Sequence, residues 1–199
     1  MSITTYAELQ TSVSNWLKRS DLTSMLPDLV LMGEKWIFRH ARSRDMESAL
    51  NVTTSNGVAS LPSDFIALKS ARVSASPSIP LSIRPASWIY SQYPNRGAGG
   101  LPAFIGVDGA NFVFGPAAGS YTINGTYYAR LTSIQTSANA LFTNNPDLYL
   151  FATLAESEAF IKNDGRVALW TEKRNAILAD INAEARESRQ GDAMEVMVG

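Results

Sequence analysis

The sequence predicts an α+β protein. An antiparallel helical bundle is drawn from both ends of the chain, a small antiparallel β-sheet domain is inserted between them, and a flexible C-terminal tail follows. Three observations carry this. Apolar residues recur at helical spacing over 6–40 and again over 145–189. Between Met46 and Leu131 the period falls to two, with turn residues punctuating it. After Arg189 the pattern stops. The expected segments are 1–45 and 141–189 for the bundle, 46–140 for the β-rich insertion and 190–199 for the tail.

Thr5-Tyr6-Ala7-Glu8 is a capping box, so a helix starts there and runs to about Arg19, with Tyr6, Leu9, Val13, Trp16 and Leu17 on one face. Pro27 suits the first turn of a second helix. Leu26, Leu29, Gly33, Trp36, Ile37 and His40 gather on one side of it, and Lys35, Arg39 and Arg42 on the other. In the insertion, Leu50 to Thr54 and Val58 to Leu61 flank Asn56-Gly57, the residues of a type I′ hairpin turn. Ala67 to Ser74 and Ile79 to Ile83 form a second pair. Pro85 opens a short helix with Trp88, Ile89 and Tyr90, and a Gly-rich loop spans 94–102. Ala103 to Val107 and Asn111 to Phe114 pair across Asp108-Gly109, and Tyr121 to Leu131 alternates as one long strand through Asn124-Gly125.

The last two helices organise the chain. Asn145-Pro146-Asp147 is a helix start: a side-chain cap, a proline in the first turn and an acid near the positive end of the dipole. The first of the two helices is apolar on two faces, one with Leu148, Phe151, Ala152, Ala155 and Ala159, the other with Leu150, Leu154 and Ile161. Such a helix is covered on more than one side, by this domain or by neighbouring copies. Leu150 and Leu154 are therefore candidate contacts with neighbouring copies. Asn163-Asp164-Gly165 breaks the run. A second helix begins near Arg166 with Val167, Trp170, Ile177, Leu178, Ile181 and Ala185 in a single stripe. Arg174 falls inside that stripe and needs a partner, for which Glu158 is the candidate. The tail ends in Met194-Glu195-Val196-Met197-Val198, a short apolar peptide suited to a groove or sheet edge.

Composition bounds the function. The 199 residues are 45% hydrophobic and 18% charged, which is globular, and a chain of this length buries roughly 70% of its unfolded surface. No apolar run approaches the roughly 20 residues that span a bilayer, and the N-terminus lacks the regions of a signal peptide, so a membrane partner is not expected and folding in a cytoplasm is. The absence of cysteine excludes disulfides and thiolate chemistry. Net charge is −1, unevenly spread: residues 1–50 carry 6 basic and 6 acidic groups, 51–140 carry 5 and 2, and 141–199 carry 6 and 10. That asymmetry suits copies meeting head to side.

Catalytic readings find little support. The single histidine, His40, lies on the apolar face of its helix and reads as packed or helix-terminal rather than as a base. One histidine without cysteine does not make the usual zinc sets, and no cofactor is implied. Arg96-Gly97-Ala98-Gly99-Gly100 lacks the Lys-Ser/Thr of a phosphate loop. Glu156 and Glu158, two apart on one helix, point in different directions, unlike a glycosidase pair. The basic stripe Lys35, Arg39 and Arg42, with Arg44 beyond it, is a solvated face, a contact with an acidic neighbour, or a contact with a passing phosphate backbone.

With these features assembled, the chain resembles the head-to-tail adaptor (connector) proteins of short-tailed bacteriophages and their relatives. The resemblance is carried by Thr5-Tyr6-Ala7-Glu8-Leu9 with Trp16-Leu17, Arg19-Ser20-Asp21-Leu22, and Ile37 to Met46 with its arginines. Leu61-Pro62-Ser63-Asp64-Phe65, Tyr127-Tyr128 and Asn145-Pro146-Asp147-Leu148-Tyr149-Leu150 complete it. It implies a virion structural protein made in the host cytoplasm and not an enzyme. About a dozen copies would form a homo-oligomeric ring beneath the portal protein. A nozzle or tail-tube protein would attach below, and genomic DNA would pass non-specifically through the channel. Lys35, Arg39, Arg42, Arg44, Leu150 and Leu154 become ring-interface or channel contacts, and Met194, Val196, Met197 and Val198 the portal-binding end. The alternatives are a cell-wall glycoside hydrolase, which needs a cleft with exposed paired carboxylates, and a non-specific DNA-binding module, marked by salt-dependent duplex binding.

Overall fold

A computed structural model of the chain describes residues 3–19, 21–95, 99–117, 119–160 and 165–194. Within them lie six α-helices: α1 (Tyr6–Leu17), α2 (Leu26–His40), α3 (Ala86–Gln92), α4 (Ala140–Asn144), α5 (Pro146–Glu156) and α6 (Arg166–Met194). Eight strands occupy the middle: β1 (Glu47–Thr53), β2 (Val58–Ser60), β3 (Phe65–Val73), β4 (Ile79–Pro80), β5 (Ser82–Ile83), β6 (Phe104–Asp108), β7 (Asn111–Gly115) and β8 (Thr122–Ala129). The chain divides into two compact units, residues 1–46 with 131–199 and residues 47–130.

In the helical unit, α1 opens as its sequence dictates. Thr5 Oγ1 accepts from Glu8 N at 3.2 Å, and Glu8 Oε2 accepts from Thr5 N at 3.0 Å. Lys18 then turns into the left-handed region (φ 53°) and stops the helix. Leu9, Val13 and Leu17 are buried, but Trp16, expected on the same face, is 46% exposed and meets Phe151 edge-on at 5.6 Å. It stands at the rim of the stripe, where periodicity does not show which edge is covered.

The centre of this unit is α5, packed against α1, α2, α4 and α6. Leu148, Tyr149, Leu150, Ala152, Thr153, Leu154 and Ala155 are all buried, so as far as Ala155 both apolar faces are covered by the chain's own helices, while Ile161 lies outside the described residues. Its polar side chains are satisfied locally: Thr153 Oγ1 donates to Tyr149 O at 2.8 Å, and Tyr149 Oη donates to Asn139 Oδ1 at 3.2 Å. Gly33 of α2 lets the two helices meet, because a Cβ there would sit 3.0 Å from Thr153 N and 3.1 Å from Ala152 C. The Asn145 start is corrected in one respect. Its side chain makes no cap and instead donates to Leu141 O at 3.4 Å. The side-chain cap belongs to Asn139, whose Oδ1 accepts from Phe142 N at 2.9 Å and starts α4, a helix the sequence did not announce.

A one-turn 3-10 helix, Ser157–Phe160, follows α5. On α6, Val167, Trp170, Ile181 and Ala185 are buried and Ile177 and Leu178 half-buried. This helix continues past Arg189 to Met194, so Gln190 to Met194 are helical rather than tail.

The unit of residues 47–130 contains two sheets where the sequence suggested one. Strand orders are β1-β8-β3-β4 and β2-β7-β6-β5, antiparallel throughout except for the β5–β6 pair. The two share one core: Leu50, Val73, Ile123 and Tyr127 from the first sheet meet Ala59, Ile105, Phe112 and Phe114 from the second. Asn56 and Gly57 do take positive φ (50° and 71°), as a tight turn requires. The strands they join nevertheless part, β1 pairing with β8 and β2 with β7, leaving a single Ser55–Val58 bridge. Ile79 to Ile83 likewise splits. Its first two residues pair with β3, and Ser82 and Ile83 cross to run parallel to β6. The β6–β7 pair closes across Asp108-Gly109 as expected. Strand β8 runs unbroken through Asn124-Gly125 at the centre of its sheet.

Candidate assembly surfaces

The motifs that carry the phage resemblance do structural work inside each unit. Asp64 Oδ1 accepts from Tyr127 Oη at 2.9 Å, its carbonyl accepts from Arg130 N at 2.7 Å, and Phe65 stacks on Tyr127 at 5.8 Å. Leu61-Pro62-Ser63-Asp64-Phe65 and Tyr127-Tyr128 thus lock β3 to β8. Arg19 pairs with Asp21 and donates to Phe160 O at 3.3 Å, fixing the 3-10 turn after α5.

Buried Glu34, on the inner face of α2, was missed in the sequence. An acid between Gly33 and Trp36 in an otherwise apolar stripe was the available signal. Only 2% exposed, it accepts from Ser133 Oγ at 2.5 Å and Ile134 N at 2.9 Å, while Gln135 Nε2 donates to Pro27 O at 2.8 Å. These bonds clamp the segment that re-enters the bundle onto α2. Burial pushes the Glu34 pKa up, against the opposing pull of its two hydrogen bonds.

Arg174 finds a different partner from the one expected. Its guanidinium lies over Trp36, 3.8 Å from the ring centroid, and Nη1 is 3.4 Å from Glu156 Oε1. Glu158 is exposed, rotated away because the helix tightens after Glu156. Glu156 is thus engaged by Arg174, while Glu158 points to solvent. His40 is helix-terminal, stacked on Trp36 at 4.4 Å with Nδ1 2.8 Å from Trp36 O.

The expected assembly residues divide. Leu150 (7% exposed) and Leu154 (0%) face the chain's own core and offer a neighbour no surface, which corrects their expected role. The basic stripe does face outward. Lys35 and Arg39 are exposed on α2, and Arg42, half-buried, folds its guanidinium over the carbonyls of Phe38, Arg39 and Ala41. Arg44 is exposed at a polar crevice of about 240 Å³ lined also by Asp45, Asn144, Ile181 and Glu184. Asp45 there accepts from Asn144 Nδ2 at 2.9 Å. Met194 is the last residue of α6, and Val196, Met197 and Val198 lie outside the described residues. No helix among the described residues is long and apolar enough to cross a membrane.

The SU10 adaptor protein family matches residues 4–196, nearly the whole chain. The chain belongs to that family. As an SU10 adaptor protein it is a phage adaptor with a structural role and a component of the virion. No curated protein matches this adaptor.

Proposed function

We propose that this adaptor joins the head of a phage to its tail. Copies form a ring below the portal, a nozzle or tail-tube protein binds beneath, and the packaged DNA leaves through the shared channel. The observation that carries the reading is the family match over residues 4–196. The surfaces agree with a binding role. Thr153 and Tyr149 of the buried helix α5 spend their hydroxyls on internal hydrogen bonds, and the exposed charges include a basic pair on α2 and acidic residues on α6. The apolar residues Val196, Met197 and Val198 supply a peptide end for a groove or sheet edge on the portal.

Portal rings incubated with the adaptor and sedimented through a density gradient test this. The adaptor should travel with the rings in fixed stoichiometry. Deleting residues 195–199 should weaken that association at least about tenfold, equivalent to about 1.4 kcal/mol. Full-length adaptor that stays at the top of the gradient would exclude the portal as partner. A truncated protein that decorates rings with undiminished affinity would remove only the tail from the account.

A further inference from the structure

We infer that the outward face of α6 is the docking site for the basic row on α2 of a second copy, which names the contact within the proposed ring and rests on that reading. Lys35 and Arg39 stand one helical turn apart on the exposed side of α2. Asp180 and Glu184 stand one turn apart on the exposed side of α6, with Glu187 extending the row. At about 1.5 Å of rise per residue, each leading pair is separated by about 6 Å. None of the five exposed side chains, Lys35, Arg39, Asp180, Glu184 and Glu187, has an oppositely charged partner among the described residues. Glu184 lines the same crevice as Arg44, yet no ion pair joins them.

Like charges one turn apart destabilise a helix by about 0.2–0.5 kcal/mol. Each row is therefore unfavourable by itself, and a row of opposite sign at the same spacing relieves both. The packing around the rows suits another helix. Ala176, Ala179 and Ala183 leave the exposed side of α6 low, and Met32, 40% exposed, gives the α2 row an apolar edge to bury. A phosphate backbone is the weaker fit for Lys35 and Arg39, because its affinity accumulates over many contacts and this row offers few. The two faces differ and both belong to every chain, so the contact is head-to-tail. It propagates from copy to copy until a ring closes.

Charge reversal on the full-length adaptor tests the pairing under conditions where wild type decorates portal rings. Lys35→Glu with Arg39→Glu, and separately Asp180→Lys with Glu184→Lys, should each cut ring yield at least about tenfold, since like charges brought together across an interface cost several kcal/mol. A mixture of the two variants matches both kinds of junction in sign, acidic α2 row on basic α6 row and basic on acidic, and should restore rings in which the variants alternate. Combining all four changes in one chain should restore rings. All the altered side chains are exposed, so unchanged melting temperatures verify folding. The chain lacks cysteine, so Arg39→Cys protein mixed with Asp180→Cys protein should give disulfide-linked dimers that neither gives alone. Rings that tolerate both single-face reversals, or no cross-linking in the mixture, would overturn the pairing while leaving the ring intact. Loss of duplex DNA binding in the Lys35/Arg39 variant, with rings unaffected, would overturn it in favour of a channel role. Wild-type protein that forms no ring would instead sink the adaptor reading itself.

Discussion

Replacing Gly125 with alanine is expected to lower stability by about 3 kcal/mol or more, a melting-temperature drop of about 6–12 °C for a chain of this size. The new methyl group would sit 2.2 Å from Ser70 O and 2.9 Å from Ala71 Cα, both backbone atoms of β3. Neither withdraws without opening the β3–β8 ladder. The register of that ladder shifts between Leu68 and Ser70, next to this close approach. Gly109 provides the control. It has φ 57° and nothing within 4 Å of a built Cβ, so alanine there carries only backbone strain, about 1 kcal/mol. Thermal unfolding of the two variants side by side checks the claim. Equal losses would mean that the close approach at Gly125 relaxes readily.

Glu34→Ala should cost about 3–5 kcal/mol. It strands the Ser133 hydroxyl and the Ile134 N–H without their acceptor, at about 1–3 kcal/mol each, and leaves a cavity beside α2. Glu34→Gln should cost much less, since an amide oxygen still serves Ile134 and Ser133 can accept from the amide nitrogen. The pH dependence separates charge from shape. Burial raises the Glu34 pKa in the folded state, so the folded protein holds that proton more tightly than the unfolded chain does. Its contribution is fully present below the unfolded value of about 4.3 and is lost as pH rises through the folded value. Glutamine does not titrate. The stability of Glu34→Gln relative to wild type should therefore improve between pH 4 and pH 7, as read from urea melts. A difference that stays constant, or moves the other way, would show that the hydrogen bonds outweigh burial.

What the sequence made legible was mostly local. The Thr5–Glu8 capping box, Pro27, the Asp108-Gly109 turn and the alternation of β8 each depend on residues within a few positions of one another. What stayed hidden depends on partners distant in sequence. Asn56-Gly57 fixes two φ angles but says nothing about which strand lies beside β1, and here β8 takes that place. The two apolar faces of α5 announced double coverage without saying by what, and only packing shows α1, α2 and α6 there rather than a neighbouring copy. For that reason Leu150 and Leu154 looked like interface residues. Glu158 suits Arg174 only if the covered helix that carries it continues, and the 3-10 turn that begins at Ser157 leaves it exposed while Glu156 takes its place. The outward basic row was visible from helical phase alone. Its acidic counterpart on α6, Asp180, Glu184 and Glu187, follows from the same helical phase, and only its exposure is new with the structure.

The most direct test of the account is the mass of the purified adaptor measured alone and then mixed with candidate portal rings. The mixture should yield a portal ring carrying a complete, fixed complement of adaptor chains. A portal mass unchanged by the adaptor, with the adaptor still running as the species it formed alone, would contradict it.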